Sequence, residues 1–142
     1  KFSVRLATDR TGVTGDGTVY TVNFGNNKEF VKPSTVFDNS GVFTAPINGF
    51  YHLSCQVLLS GQLDGSNSYV KIVTSNREYY CTLSGIGTGT NVSDGTQVFS
   101  GSAFVEMERG DTAVVKTRIS GQGAGTVNVL RINAADAYTA FS

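Results

Sequence analysis

Apolar residues recur at every second position through most of this 142-residue chain, and that period is what most limits its fold. In FSVRL, Phe2, Val4 and Leu6 share one face; in VYTVNF, Tyr20, Val22 and Phe24 do so, with Thr21 and Asn23 opposite. In FYHLSCQVLL one face takes Tyr51, Leu53, Cys55, Val57 and Leu59, while His52, Ser54 and Gln56 point the other way. REYYCTL aligns Tyr79, Cys81 and Leu83, and VFSGSAFVEM, TAVVKTRI and TVNVLRI supply three further candidate strands. Between these runs lie TGVTGDGT, SGQLDGSN, SGIGTGTNVSDGT, ERGD and SGQGAG, all turn and loop chemistry. No stretch holds apolar residues at helical spacing, so the chain is predicted to be all-β, a two-sheet sandwich or jelly roll. Inside FDNSGVFTAPINGFYHLS, Asn48-Gly49 predicts a tight hairpin, because both residues readily take positive φ at the centre of a two-residue turn.

There is no linker, repeat or break in composition, so residues 1–142 read as a single domain. Eleven basic and eleven acidic residues cancel, which leaves no electrostatic case for nucleic acid or for an anionic membrane. No apolar run approaches the length of a membrane span, and no signal peptide is recognisable. Lys1 leads directly into a strand without an initiator Met, so the chain reads as a piece excised from a longer one. A surface made polar by Ser, Thr, Asn and Gly more than by charge fits an extracellular or virion-surface setting. Cys55 and Cys81 have no His or Cys at short spacing and make no zinc site. One disulfide and two buried thiols are both open, and the second is favoured because each Cys falls on an apolar strand face.

FSVRL near the start, FDNSGVFTAPINGFYHLS in the middle, GSAFVEMERGDTAVVK later and YTAFS at the end resemble, in that order, the landmarks of the C1q-like globular domain, a relative of the tumour necrosis factor jelly rolls. The resemblance covers essentially the whole chain and is nearer in style to viral (phage) and bacterial members. It implies a ten-stranded jelly roll in a compact homotrimer, carried on an upstream fibre or collagen-like stalk and recognising ligands through loops without catalysis. It also implies that Phe37, Gly41, Phe43, Pro46, Gly49, Tyr51 and Phe141 serve core packing and turn geometry. Phe50, His52, Ser54, Gln56 and Leu58, on the other strand face, would then meet neighbouring subunits. The family's usual glycine and apolar residues after Phe-Ser do not follow Ser142 in this sequence.

Individual motifs add little chemistry. His52 and Ser54 lie about 7 Å apart along one strand face, too far for a nucleophile and its base. His52 therefore reads as an interface residue able to make a trimer pH-sensitive. Arg109-Gly110-Asp111 spells an integrin-type tripeptide, although Gly-Asp is expected there simply as the turn between two strands. Asp64 and Asp94 sit in oxygen-rich loops, but no contiguous calcium-loop pattern exists, and some family members hold calcium near the trimer top. The glycine-rich run at 84–96 lacks the lysine and helix of a phosphate loop. Asn91-Val92-Ser93 within it is a glycosylation acceptor sequence. Tyr69, Tyr79 and Tyr80 suggest either a sugar-stacking platform or half-buried core residues. With no motif that overrides it, the resemblance implies a non-enzymatic trimeric head, without a cofactor, that binds a glycan or cell-surface receptor by avidity. The loops at 61–68, 85–95 and 121–125 would make contact, with Asp64, Asn67, Asn91 and Asp94 the candidate residues. A purely structural trimerisation or capsid-decorating module is the alternative.

Overall fold

The structure, a computed structural model, describes residues 1–61, 67–85, 96–131 and 139–142. Among these residues there are twelve strands and no α-helix: β1 (Phe2–Arg5), β2 (Arg10–Thr14), β3 (Val19–Thr21), β4 (Lys28–Val31), β5 (Phe43–Thr44), β6 (Gly49–Ser60), β7 (Asn67–Thr74), β8 (Glu78–Gly85), β9 (Gln97–Met107), β10 (Thr112–Ser120), β11 (Val127–Val129) and β12 (Ala140–Phe141). The number exceeds the ten expected because segments of only two or three residues, such as β5 and β12, pair as strands of their own.

Two sheets face each other, as the alternation requires. One runs β2-β11-β6-β12-β1-β4, with β9 also on β6; the other runs β3-β10-β7-β8, with β5 also on β10. β6 is the hub of the first. β9 follows it along one edge from Gly49 opposite Met107 to Leu59 opposite Gln97. Its other edge is shared by β12 at Cys55–Gln56 and β11 at Leu59–Ser60. Between the sheets five phenylalanines interlock. Phe2 stacks on Phe43 at 4.6 Å and meets Phe141 edge-on at 5.1 Å, while Phe24 and Phe37 close the cluster at 6.1 Å. All five are buried. Burying one such ring contributes about 3 kcal/mol, so residues from both ends of the chain are held by a common apolar contact.

The expected hairpin at Asn48-Gly49 is not formed. β5 pairs with β10 in one sheet, whereas β6 begins in the other, so residues 45–48 cross between sheets. The β9–β10 turn captures this crossing. The Ala45 amide donates to Asp111 O at 2.8 Å, Gly110 N donates to Ala45 O at 2.9 Å, and Arg109 N donates to Asn48 Oδ1 at 2.8 Å. Gly49 is not among the positive-φ glycines, and a Cβ there would meet nothing within 4 Å. The glycine whose conformation matters is Gly41, at φ +104°, where a Cβ would lie 2.4 Å from Val22 O. Asp38 holds this turn, accepting from the amides of Ser40 at 2.9 Å and Val42 at 2.8 Å. Partial burial pushes the Asp38 carboxyl upward, but the bonds from Val42 and Ser40 together outweigh it and hold the group below its ordinary value.

Two measurements check this assignment of roles. Gly41→Ala should lower stability by roughly 2–4 kcal/mol in urea unfolding, while Gly49→Ala should change it by no more than about 0.5 kcal/mol. Equal costs at the two positions would contradict the crossover. Asp38→Ala should cost about 1 kcal/mol, limited by the exposure of the carboxylate. Because the Asp38 pKa is depressed, the wild-type advantage should be complete above pH 3.8 and fade as pH falls through the lower folded value.

Candidate assembly face and binding loops

The outward row of β6 lies beside the outward row of β9, and cross-strand pairing matches them residue for residue: Phe50 with Glu106, His52 with Phe104, Ser54 with Ser102, Gln56 with Ser100, and Leu58 with Val98. Phe50 and Phe104 are 77% and 76% exposed, and the His52 ring lies against Phe104 with centroids 4.9 Å apart. Two large apolar side chains standing out of a regular sheet, flanked by small hydroxyl residues, form the kind of patch that marks a contact surface. Ser54 and Ser142 close the row through a 2.7 Å hydroxyl–hydroxyl bond. Leu58 does not belong to it. It is fully buried within one chain; its amide donates to Thr139 Oγ1 and its carbonyl accepts from Leu130 N.

The sequence reading took this face from β6 alone and missed Phe104 and Val98. Their alternation in VFSGSAFVEM carried the signal, because the same parity that exposes Ser100 and Ser102 exposes Phe104. Inward, Tyr51 meets Phe43 edge-on at 5.5 Å, and its hydroxyl donates to Ile47 O at 2.7 Å, so it braces the crossover between the sheets. Where β6 runs beyond its pairing with Ser142, a cavity of about 290 Å³ opens, lined by Phe2, Val36, Phe43, Tyr51 and Leu53.

Of the candidate ligand residues, Asp64, Asn91 and Asp94 lie outside the described residues, as does the Asn91 acceptor sequence. Asn67 is exposed at the start of β7, opposite Ser120 on β10 and Gly85 on β8. Gln122 donates through its amide side chain to Gly61 O at 3.1 Å. The roots of all three candidate loops, at Gly61, Asn67, Gly85 and Gly121, are thereby gathered at one end of the sandwich. Arg109-Gly110-Asp111 forms the β9–β10 turn at the opposite end. There Gly110 takes φ +96°, and Asp111 Oδ2 is occupied by the Glu108 amide at 2.9 Å and Asn76 Nδ2 at 3.0 Å. Among the described residues, no three His, Cys, Asp or Glu side chains are grouped to hold a metal ion.

The three tyrosines do not form one platform. Tyr79 packs against the core, while Tyr69 and Tyr80 meet edge-on at 5.5 Å on the outer face of the second sheet. Lys71 fills the space between them, with Nζ 4.9 Å from the Tyr69 ring centre, 5.4 Å from that of Tyr80 and 2.9 Å from Glu78 Oε2. Burial pushes the Lys71 ammonium down, but the Glu78 bond and the neighbouring Tyr69, Glu78 and Tyr80 charges outweigh it and hold the group above its ordinary value. Lys71→Gln should therefore cost about 1 kcal/mol in thermal or urea unfolding at neutral pH. The wild-type advantage should be complete below pH 10.5 and disappear as pH rises through the higher folded value.

Comparison with known proteins bears on these surfaces. The model of the C1q domain family matches residues 2–142. Among solved structures, the globular domain of the zebrafish complement 1qA protein superposes with a TM-score of 0.55 at 14% identity, over 99% of this chain and 91% of that one. Murine APRIL at pH 8.0 gives a TM-score of 0.57 at 12% identity, over 99% and 95%, and murine APRIL at pH 5.0 gives 0.53 at 17% identity, over 99% and 98%. No curated protein matches the sequence.

Proposed function

We propose, from the premise that the chain belongs to the C1q domain family, that it is the non-enzymatic head of a trimeric fibre or stalked protein and binds a repetitive surface ligand through its loops. Domains of this family and of its tumour necrosis factor relatives typically form homotrimers, act as binding modules and are generally extracellular. The observation that carries the reading is the exposed row of Phe50, His52 and Phe104 on β6 and β9. Around a three-fold axis each copy offers this row to a neighbour. Withdrawing one exposed ring from water contributes about 3 kcal/mol before the cost of association, so two rings per copy supply a substantial driving force. The small side chains of Ser54, Ser100 and Ser102 let strands approach closely beside the rings.

Three copies then present three identical loop ends in one direction. Weak individual contacts multiply on a repetitive glycan or receptor coat, because each later contact is intramolecular. Asn67, together with the loops that start at Gly61, Gly85 and Gly121, supplies amide and hydroxyl chemistry suited to sugars. The head requires no cofactor, and it works at an extracellular or virion surface of viral or bacterial origin, at the end of an upstream fibre or stalk.

Sedimentation equilibrium should give a mass three times 15.0 kDa. Phe50→Ser combined with Phe104→Ser should leave a folded monomer with an unchanged far-ultraviolet dichroism spectrum, because neither ring is part of the core. A wild-type monomer at all concentrations would remove the basis of the avidity mechanism. On a glycan array the trimer should bind and the monomeric variant should lose at least about tenfold in apparent affinity. Asn67→Ala should weaken binding without changing the mass. If it leaves surface attachment untouched, as do changes in the other loops, the head is a structural trimerisation or capsid-decorating module.

A further inference from the structure

We infer that Cys55 and Cys81 form a reversible redox site, in which a low-molecular-weight disulfide closes a covalent staple between the two sheets. Both cysteines are free thiols in the structure, with sulfurs 3.7 Å apart, although 26 residues separate them and each belongs to a different sheet. Three independent features bring them together. Cys55 points inward from β6, the central strand of the first sheet. Cys81 is the extra residue of a β-bulge: Lys71 pairs with Tyr80 and Val70 with Thr82, so no residue of β7 stands opposite it. A bulge re-aims the side chain it carries, and this one sends Cys81 inward while Tyr80 stays 56% exposed. The residue facing Cys55 across the first sheet is Gly101, where a Cβ would lie 2.5 Å from Cys81 Cβ. Only glycine leaves room there for the edge strand of the second sheet to lean onto the first.

The two thiols are unequal. Cys55 is 5% exposed, while Cys81 is only half-buried. The hydrogen bond that Cys55 donates to the Cys81 sulfur, the largest influence on both, holds the Cys81 thiol down to about 7 and pushes the Cys55 thiol up. Cys81 is accordingly the attacking thiolate and Cys55 the resolving thiol. Taking oxidised glutathione as the reagent, the Cys81 thiolate attacks one of its sulfurs, the glutathione S–S bond breaks, and one glutathione thiolate leaves. Cys55 then loses its proton to solvent and attacks the Cys81 sulfur, expelling the second glutathione thiolate. Two protein thiols are oxidised and one small disulfide is reduced to two thiols. The sulfurs close from 3.7 Å to the bonded distance of about 2.05 Å. Closure ties the strand that carries the exposed Phe50 row to the edge of the opposite sheet, in a domain whose family is generally extracellular, where such oxidants are present.

The test is to incubate the folded protein with oxidised glutathione near neutral pH and to read intact mass, a non-reducing peptide map and the unfolding temperature. The expected product is lighter by two hydrogen atoms and carries no glutathione. Its map joins the Cys55 and Cys81 peptides, and its Tm is higher by roughly 10 °C, a gain reversed by dithiothreitol. Cys55→Ser should trap glutathione on Cys81, and Cys81→Ser should show neither product nor gain. The site is overturned if both thiols of the folded wild-type protein persist under excess oxidant, or if it stops at the glutathione adduct. A bond that forms only after the protein is unfolded overturns it as well.

Discussion

A strand flanked by partners on both edges and covered on one face has only one surface left for the world outside, and every backbone donor and acceptor along its covered length must find a partner inside the molecule. β6 is such a strand. β9 occupies one edge, β11 and β12 share the other, and Leu53, Cys55, Val57 and Leu59 face the core. Because its edges are committed, the choice of outward residues is free of folding constraints over the half that the chain leaves uncovered. That freedom is spent on Phe50 and His52, with Phe104 beside them on β9. Leu58 shows the boundary of the effect, since it is fully buried although Val98 opposite it stays 46% exposed.

The second sheet is positioned by places where side chains are missing as much as by those that are present. At Gly41 and Gly101 any Cβ would strike the backbone or side chain of another strand, which sets how closely the connecting turns and the β8 edge approach the first sheet. The five-phenylalanine cluster fills what remains between the layers. Small residues fix the distance, large ones fill it, and Asp38 and Asp111 fix the shape of the end turns, because each carboxylate binds backbone amides within its own turn.

What the sequence makes legible follows from which forces are local. Alternation is local, so the strands and the two-sheet architecture were readable, as was the resemblance of the Phe37–Ser54 run to C1q-like domains. The parity of β6 is equally local, which is why Phe50 and His52 were placed on the outward row. The sheet that each strand joins is decided by partners far along the chain. Asn48-Gly49 has the composition of a hairpin, yet Ala45 and Asn48 are held by the turn at Arg109–Asp111, and that competition is invisible in a window of four residues. The same holds for the thiols. Apolar faces around Cys55 and Cys81 were evident, but their approach depends on a bulge in β8 and on Gly101 in a third strand. Leu58 was misplaced for a related reason, as its partners at residues 130 and 139 lie far along the chain.

The place of β12 between β1 and β6 has a kinetic side. Val4 pairs with Phe141, which in turn pairs with Cys55, so the first and last strands are neighbours and the latter is the wedge that joins the former to the hub. Such connectivity maximises the sequence separation of contacts and places the molecule among the slow-folding β topologies. Until β12 is in place, β1 and β6 each keep a bare backbone edge on the side where it will sit, and the first sheet stays open there. During that interval the unpaired strand edges are open to those of another copy, so folding at high concentration favours contact between chains before each is closed.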